Sequence, residues 1–448
     1  MSQSSYNSNE GEDLEPIDRI ARPFQIFAKN KVSGAILLMA ATVAALIWAN
    51  SPWASSYHDI LHGHVTMEAF GFGIDKPLHV WINDGLMAVF FFVVGLEIKR
   101  EVLAGELATF RKALLPIAGA LGGIVVPALI YYAINANGAG ASGWGIPMAT
   151  DIAFALGIIL LLGPRVPIGL KVFLTALAIV DDIGAIAVIA IFYTDQIVVG
   201  SLLGGGALVL FSAVLNMLGV RNSIVYFIVG TMVWLAFFKS GVHATLASVC
   251  MAMTIPARTR IDGESLLARL KKLTERFADS GLKKGRGLLT TEQEHTLQDM
   301  ERAVEQSTAP LQKLEHALLP IVSFVALPIF ALANAGLALD GDLAMAVQSP
   351  VTLGVIAGLV IGKQVGIFSF AWLAVRLGFA NLPEGVSWRQ IHAVAVLGGV
   401  GFTMALFVGS LAFKDPALVE QAKLGILLAS TVAAILGAVL LVTAQKKE

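Results

Sequence analysis

The chain has 448 residues, of which 14% are charged and 56% hydrophobic, whereas an ordinary soluble domain carries about 25% charged residues, so a soluble enzyme is excluded. A net charge of −1 excludes a nucleic-acid binder with a strongly basic face. A single cysteine, Cys250, excludes a disulfide framework and any Cys-based metal site, leaving a polytopic membrane protein.

The chain opens on polar, acidic residues (Glu10, Glu12, Asp13, Glu15, Asp18) without the short apolar core and small-residue site of a cleaved leader, so its first span is expected to stay as an anchor. A bilayer core of about 30 Å needs about 20 mostly apolar residues per helix. Runs of that kind fall at 33–50, 79–98, 113–134, 146–163, 168–193, 197–215, 223–238, 241–256, 317–338, 350–375, 391–412 and 423–443. Lys239-Ser240-Gly241 separates the seventh from the eighth. The expectation is an all-α polytopic membrane protein of about 12 transmembrane helices. Helices 1–8 fill 33–256 and helices 9–12 fill 317–443, with tails at 1–32 and 444–448.

Basic residues orient the spans. With both termini cytoplasmic, inside segments hold about 26 of the 31 Lys and Arg residues; Lys76, Lys239, Lys414 and Lys423 lie outside and Lys363 within a span. The outside segment 51–78 has an extended stretch, Val65 to Ile74 with Gly71 and Gly73, that suits a small hairpin. The inside segment 257–314 is long and charged. Leu266, Leu267, Leu270 and Leu273 mark a helix over 264–278, and a second is expected from Thr291, with Glu294 completing a capping box. Leu297, Met300 and Val304 would form the apolar stripe of that second helix, and a solvated helical hairpin is the preferred reading over a regulatory arm.

Ionisable residues deep in a span are costly and by default mark an ion or proton pathway. Asp84 lies near the outer start of the second span, where it reads as a supporting or structural charge. Asp151 follows Pro147 and Thr150 in the fourth, Asp181 and Asp182 are adjacent in the fifth, Lys363 lies in the tenth, and His243 opens the eighth. Adjacent carboxylates on a helix point about 100° apart, so Asp181 and Asp182 can reach one polar cavity without forming a tight dyad. With Asp151, Thr150 and a backbone carbonyl they offer only oxygen ligands, which suits a hard cation. Carboxylates also bind protons, so Na+ and H+ competing for one site would exchange without further machinery, and the adjacent acids would titrate as a coupled set. Lys363 supplies one positive charge against three potential negatives. Pro147 interrupts the fourth helix, and Gly398-Gly399-Val400-Gly401 the eleventh. Paired interrupted helices in corresponding places of inverted repeats point to a transporter site; close packing of small residues is the plainer account of the glycines.

Five stretches carry more than composition. Ala149-Thr150-Asp151-Ile152-Ala153-Phe154-Ala155-Leu156-Gly157, then Ala178-Ile179-Val180-Asp181-Asp182-Ile183-Gly184-Ala185, and Gly399-Val400-Gly401-Phe402-Thr403-Met404 resemble the NhaA-type bacterial Na+/H+ antiporters. So do Gly95-Leu96-Glu97-Ile98-Lys99-Arg100-Glu101 and Lys239-Ser240-Gly241-Val242-His243-Ala244-Thr245. The resemblance implies inverted repeats formed by spans 3–5 and 10–12, the fourth and eleventh being interrupted. It implies a bacterial inner-membrane protein that exports Na+ or Li+ for external protons, electrogenically and under pH regulation. By the same resemblance Asp182 is the main cation ligand, Asp151 and Thr150 contribute, and Asp181 pairs with Lys363. Glu97, Arg100 and Glu101, with Glu315 and His316, form the pH-sensing mouth, and His243 takes part in the pH response. Read from spacing alone, Glu97, Arg100 and Glu101 are a solvated charged helix end. The resemblance also makes 51–78 a dimerising hairpin, hence a homodimer in membrane lipid, with no cofactor beyond the transported ions. Two departures stand out: Gln364 follows Lys363 where the family pattern has Pro, and Leu319 stands where some relatives have a second His. A sodium-coupled solute symporter of related fold is the alternative, and an enzyme is disfavoured because no nucleophile with a positioned base is present.

Overall fold

The computed structural model describes residues 31–69, 72–194, 197–280, 288–338 and 343–444. The acidic start, the tip of the outer hairpin and the tail 445–448 lie outside these residues. Ten helices among them are long and apolar enough to cross a membrane. They are α1 (Lys31–Ala49), α3 (Leu78–Ala104), α4 (Phe110–Asn135), the fourth span Ala141–Leu161, α6 (Ile168–Phe192), α7 (Val199–Met217), α8 (Ser223–Ser240), α12 (Pro310–Asn334), α14 (Pro350–Arg376) and α17 (Pro416–Thr443). A bent pair, α15 (Trp388–Leu397) and α16 (Phe402–Ala412), turns by 45° at its break and counts as one more.

The run expected as the eighth span is shorter than anticipated. Gly241, at φ +80°, closes α8 in the left-handed conformation that glycine adopts without strain, and His243 caps the next helix, α9 (Ala244–Thr254). Eleven residues rise only about 16 Å, half of a bilayer core.

By internal contacts the chain forms two compact units: the described parts of 1–90, 104–194 and 320–448, and those of 91–103 and 195–319. In the first unit, α4 and α14 approach until their backbones touch. A Cβ on Gly122 would land on the carbonyl of Gly366, and the reverse holds, so only glycine fits at this crossing. Pro127 of α4 lies against Gly362, and Gly123 leaves room for the Lys363 side chain. A π-helical turn, Ala357–Gly362, immediately precedes Lys363; it re-aims the residues that follow, as such turns commonly do at functional sites. Leu170, Phe173, Leu174 and Leu177 of α6 bury themselves against Ile367 and Ala371 of α14 and Ile391 and Val394 of α15.

Between α1 and α3, α2 (Ala54–His62) leads into an antiparallel hairpin, β1 (His64–Ala69) with β2 (Phe72–Pro77), in register from His64↔Pro77 to Ala69↔Phe72. The hairpin thus falls where the extended stretch was read. Asp75 accepts from Thr66 Oγ1 at 3.0 Å and pairs with His64 Nδ1 at 3.1 Å, and Trp81 Nε1 donates to the Val65 carbonyl.

In the second unit, Val233 and Phe237 of α8 pack on Met251 of α9, and Leu96 of α3 joins Tyr226, Ala252, Ile255 and Leu311. The long charged segment folds as α10 (Gly263–Asp279) and α11 (Thr291–Ser307), packed together. Its second helix differs from expectation by one residue. Thr290 is the cap and Gln293 its reciprocal partner, so Gln293, Thr296 and Ala303 are buried while Leu297 and Val304 are 40% and 48% exposed.

Candidate functional site

The fourth span is a 3-10 helix, Ala141–Met148, then extended backbone through Asp151, then α5 (Ile152–Leu161). Asp151 caps α5: its Oδ1 accepts from Phe154 N at 2.9 Å, meeting one of the amide donors that a helix start leaves unsatisfied. The break of the bent pair lies against this segment. Asp151 N donates to the Val400 carbonyl at 2.7 Å, and Thr150 Oγ1 donates to the Gly398 carbonyl at 2.9 Å. Oδ2 of Asp151 accepts from both the amide and the hydroxyl of Thr403, at 3.0 and 2.5 Å. Gly401 admits the approach, since a Cβ there would come within 3.1 Å of the Ala149 carbonyl, and one on Gly399 would strike the carbonyl of Leu359 in the π turn.

Asp181 and Asp182 project from the middle of α6 and are both buried. Lys363 Nζ donates to Asp181 Oδ2 at 2.5 Å, with both side chains fully enclosed. The same ammonium feels the Asp182 carboxylate, and Thr150 faces Asp181. Oδ1 of Asp181 accepts no hydrogen bond from the described residues. Thr150, Asp151, Asp181, Asp182 and Lys363 are therefore one polar locality made by three elements of one unit. Its donors are carboxylate, hydroxyl and backbone oxygens, the set a hard cation takes. Among the described residues, no three His, Cys, Asp or Glu side chains converge as a cage for a resident metal. The broken ends of two helices meet here as well, with the Val400 and Gly398 carbonyls accepting from Asp151 N and Thr150 Oγ1.

Thr403 is not among the residues expected from the sequence; its place in the first turn of the helix that follows the glycine break was the available signal. Asp84 is placed elsewhere, half-buried in a π turn (Ile82–Leu86) at the start of α3 and electrostatically coupled to Lys76.

The second unit holds the other set. Arg100 pairs with Glu315, which is buried, and with Glu101 at 3.0 Å, and it also feels Glu97. One guanidinium thus gathers three carboxylates from α3 and α12. Neighbouring Lys99 donates to the carbonyls of Met253 and Ile255, closing the C-terminal end of α9 where backbone acceptors are otherwise unmet. His316 points outward and is exposed. His243 stands at the opposite end of α9, about 16 Å of helix from the end that Lys99 closes, so the structure does not gather it with the glutamates.

A family model described as Na+/H+ antiporter 1 matches residues 25–441. The Na(+)/H(+) antiporter NhaA of Oleidesulfovibrio alaskensis is 50% identical over 419 residues, 94% of this chain and 93% of its own. The Na(+)/H(+) antiporter NhaA 2 of Syntrophotalea carbinolica is 47% identical over 96% of this chain and 98% of its own. The Na(+)/H(+) antiporter NhaA of Koribacter versatilis is 48% identical over 95% of this chain and 92% of its own. The solved structure of the sodium proton antiporter MjNhaP1 from Methanocaldococcus jannaschii aligns with a TM-score of 0.51 over 96% of this chain and 95% of its own, at 12% identity. That likeness bears on the fold alone.

Proposed function

The chain belongs to the Na+/H+ antiporter 1 family, and from that membership we propose that it exchanges Na+, or Li+, for external protons across the bacterial inner membrane. The observation that carries the reading is the enclosed Lys363–Asp181 pair beside Thr150, Asp151 and Asp182. Asp182 and Asp151 hold the cation with help from Thr150, and Lys363 balances the acids when the cation has left. Two carboxylates that each take up a proton for one Na+ make the cycle electrogenic, and each net charge moved is then worth about 2.3 kcal/mol per 100 mV. The breaks beside Asp151 and at Gly399 and Gly401 put backbone dipoles at the site and give the two segments freedom to shift with occupancy.

Both termini and the segment 257–314 lie in the cytoplasm, a reading supported by the excess of Lys and Arg on that side. Regulation by pH runs through Glu97, Arg100, Glu101 and Glu315, with His316 and His243 contributing. The outer hairpin joins two copies as a homodimer. The test is Na+-driven pH change in everted vesicles, followed across pH. Asp182→Asn should abolish exchange while the protein remains folded, and retained exchange would sink the assignment.

A further inference from the structure

Where α14, the start of α15 and the end of α17 come together, a groove of about 480 Å³ opens at the surface, lined by Phe368, Trp388, Arg389, His392, Leu440 and Thr443. Its wall is aromatic and ordered: Phe368 stands edge-on to Trp388 at 5.7 Å and to His392 at 5.5 Å. Arg389 is exposed and, among the described residues, has no carboxylate partner. The apolar side of the groove continues into outward-facing Leu436, Val439 and Val442 of α17, Leu373 of α14 and Leu377 just beyond its end, all 45–58% exposed. At the same level Arg376 stacks over Trp372 at 5.2 Å. Tryptophans beside arginines at the ends of spans are the side chains that sit at headgroup depth.

An unmatched cation over an apolar trough that runs into the lipid-facing surface fits one kind of occupant. We propose that this groove is a headgroup site for an anionic phospholipid of the leaflet on the basic side of the protein. Arg389 takes the phosphate, Trp388 and His392 flank it, and an acyl chain lies along Leu440 and the outer face of α17. Basic pockets between spans on the cytoplasmic side recognise anionic headgroups in this way. A soluble anion would satisfy Arg389 but leave the apolar trough in water. The site also touches the transport machinery. The His392 ring is hydrogen-bonded to the Gln364 side chain at 2.6 Å, and Gln364 directly follows Lys363. The Pro expected here from the resemblance carries no polar side-chain atom to make that link. Only the choice of leaflet rests on the orientation proposed above, so lipid binding and ion exchange can fail separately.

The test uses the purified full chain in detergent, with its unfolding temperature followed during titration with phosphatidylglycerol, phosphatidylcholine or inorganic phosphate. Phosphatidylglycerol should stabilise at lower concentration than phosphatidylcholine, and inorganic phosphate should not reproduce the shift. Arg389→Gln should raise the phosphatidylglycerol concentration required about fivefold, the worth of one basic residue at a charged surface. Leu440→Trp, which fills the trough and keeps the charge, should do the same and serves where Arg389→Gln fails to fold. Equal shifts from phosphatidylcholine or phosphate, wild-type responses in both variants, or a shift that tracks a change in oligomeric state would overturn the proposal.

Discussion

Lys363 and Asp181 form an ion pair with neither side chain reaching solvent, Nζ lying 2.5 Å from Oδ2. Enclosing two charges costs several kcal/mol per ion before their attraction is counted, and removing one partner strands the other. Lys363→Ala should therefore lose about 3–5 kcal/mol of stability. The double variant Asp181→Asn with Lys363→Gln should recover most of that loss without restoring exchange. Thermal unfolding in detergent beside vesicle exchange measures both; a double variant no more stable than Lys363→Ala contradicts the pairing.

Thr403 ties the break between α15 and α16 to Asp151 through two donors on one oxygen. Thr403→Val removes the hydroxyl and keeps the shape. Hydrogen bonds to charged groups are worth about 1.5–3 kcal/mol, so the apparent Na+ affinity should fall roughly tenfold or more. Exchange measured against Na+ concentration reads this out. An unchanged half-saturation would remove Thr403 from the site.

Arg100 and Glu315 are not equivalent partners, because Arg100 is 37% exposed and Glu315 only 1%. Loss of Glu315 lets the guanidinium return to water, whereas loss of Arg100 leaves a carboxylate buried without its cation. Arg100→Gln should thus cost more than Glu315→Gln, by about 1–3 kcal/mol. Unfolding temperatures of the two single variants decide the order, and equal losses would contradict it.

Much of this arrangement was visible in the chain, and the physical reason is cost. Asp151, Asp181, Asp182 and Lys363 stand out because charge in lipid is expensive, and Pro147 and the Gly398–Gly401 run announce backbone breaks. Thr403 is silent by the same measure, since a threonine in a span costs little and gains meaning only once the break places it beside Asp151. The register of α11 was ambiguous in the letters themselves. Thr290-Thr291-Glu292-Gln293-Glu294 offers two capping boxes one residue apart, and the one formed moves the buried stripe. The eighth run, read as 241–256, folds as the shorter α9 because 241–243 are spent on the turn that follows α8.

The outer hairpin should respond to acid. Hydrogen bonds from His64 and Thr66 hold the exposed Asp75 carboxyl below the ordinary aspartate range. A lowered folded-state value contributes stability above the unfolded value of about 3.9 and loses it as pH falls through the folded value. Asp75→Asn should accordingly speed amide exchange across 64–77 at neutral pH, with the difference from wild type shrinking in acid. A difference that persists at low pH contradicts the linkage.

The proposed exchange requires one set of acids to bind either Na+ or protons. Calorimetric titration of the purified protein with Na+, in two buffers of different ionisation enthalpy, counts the protons displaced on binding. Wild type should release more than one proton per Na+, and Asp182→Asn should give neither the binding heat nor the release. Na+ binding without proton release would contradict the shared site.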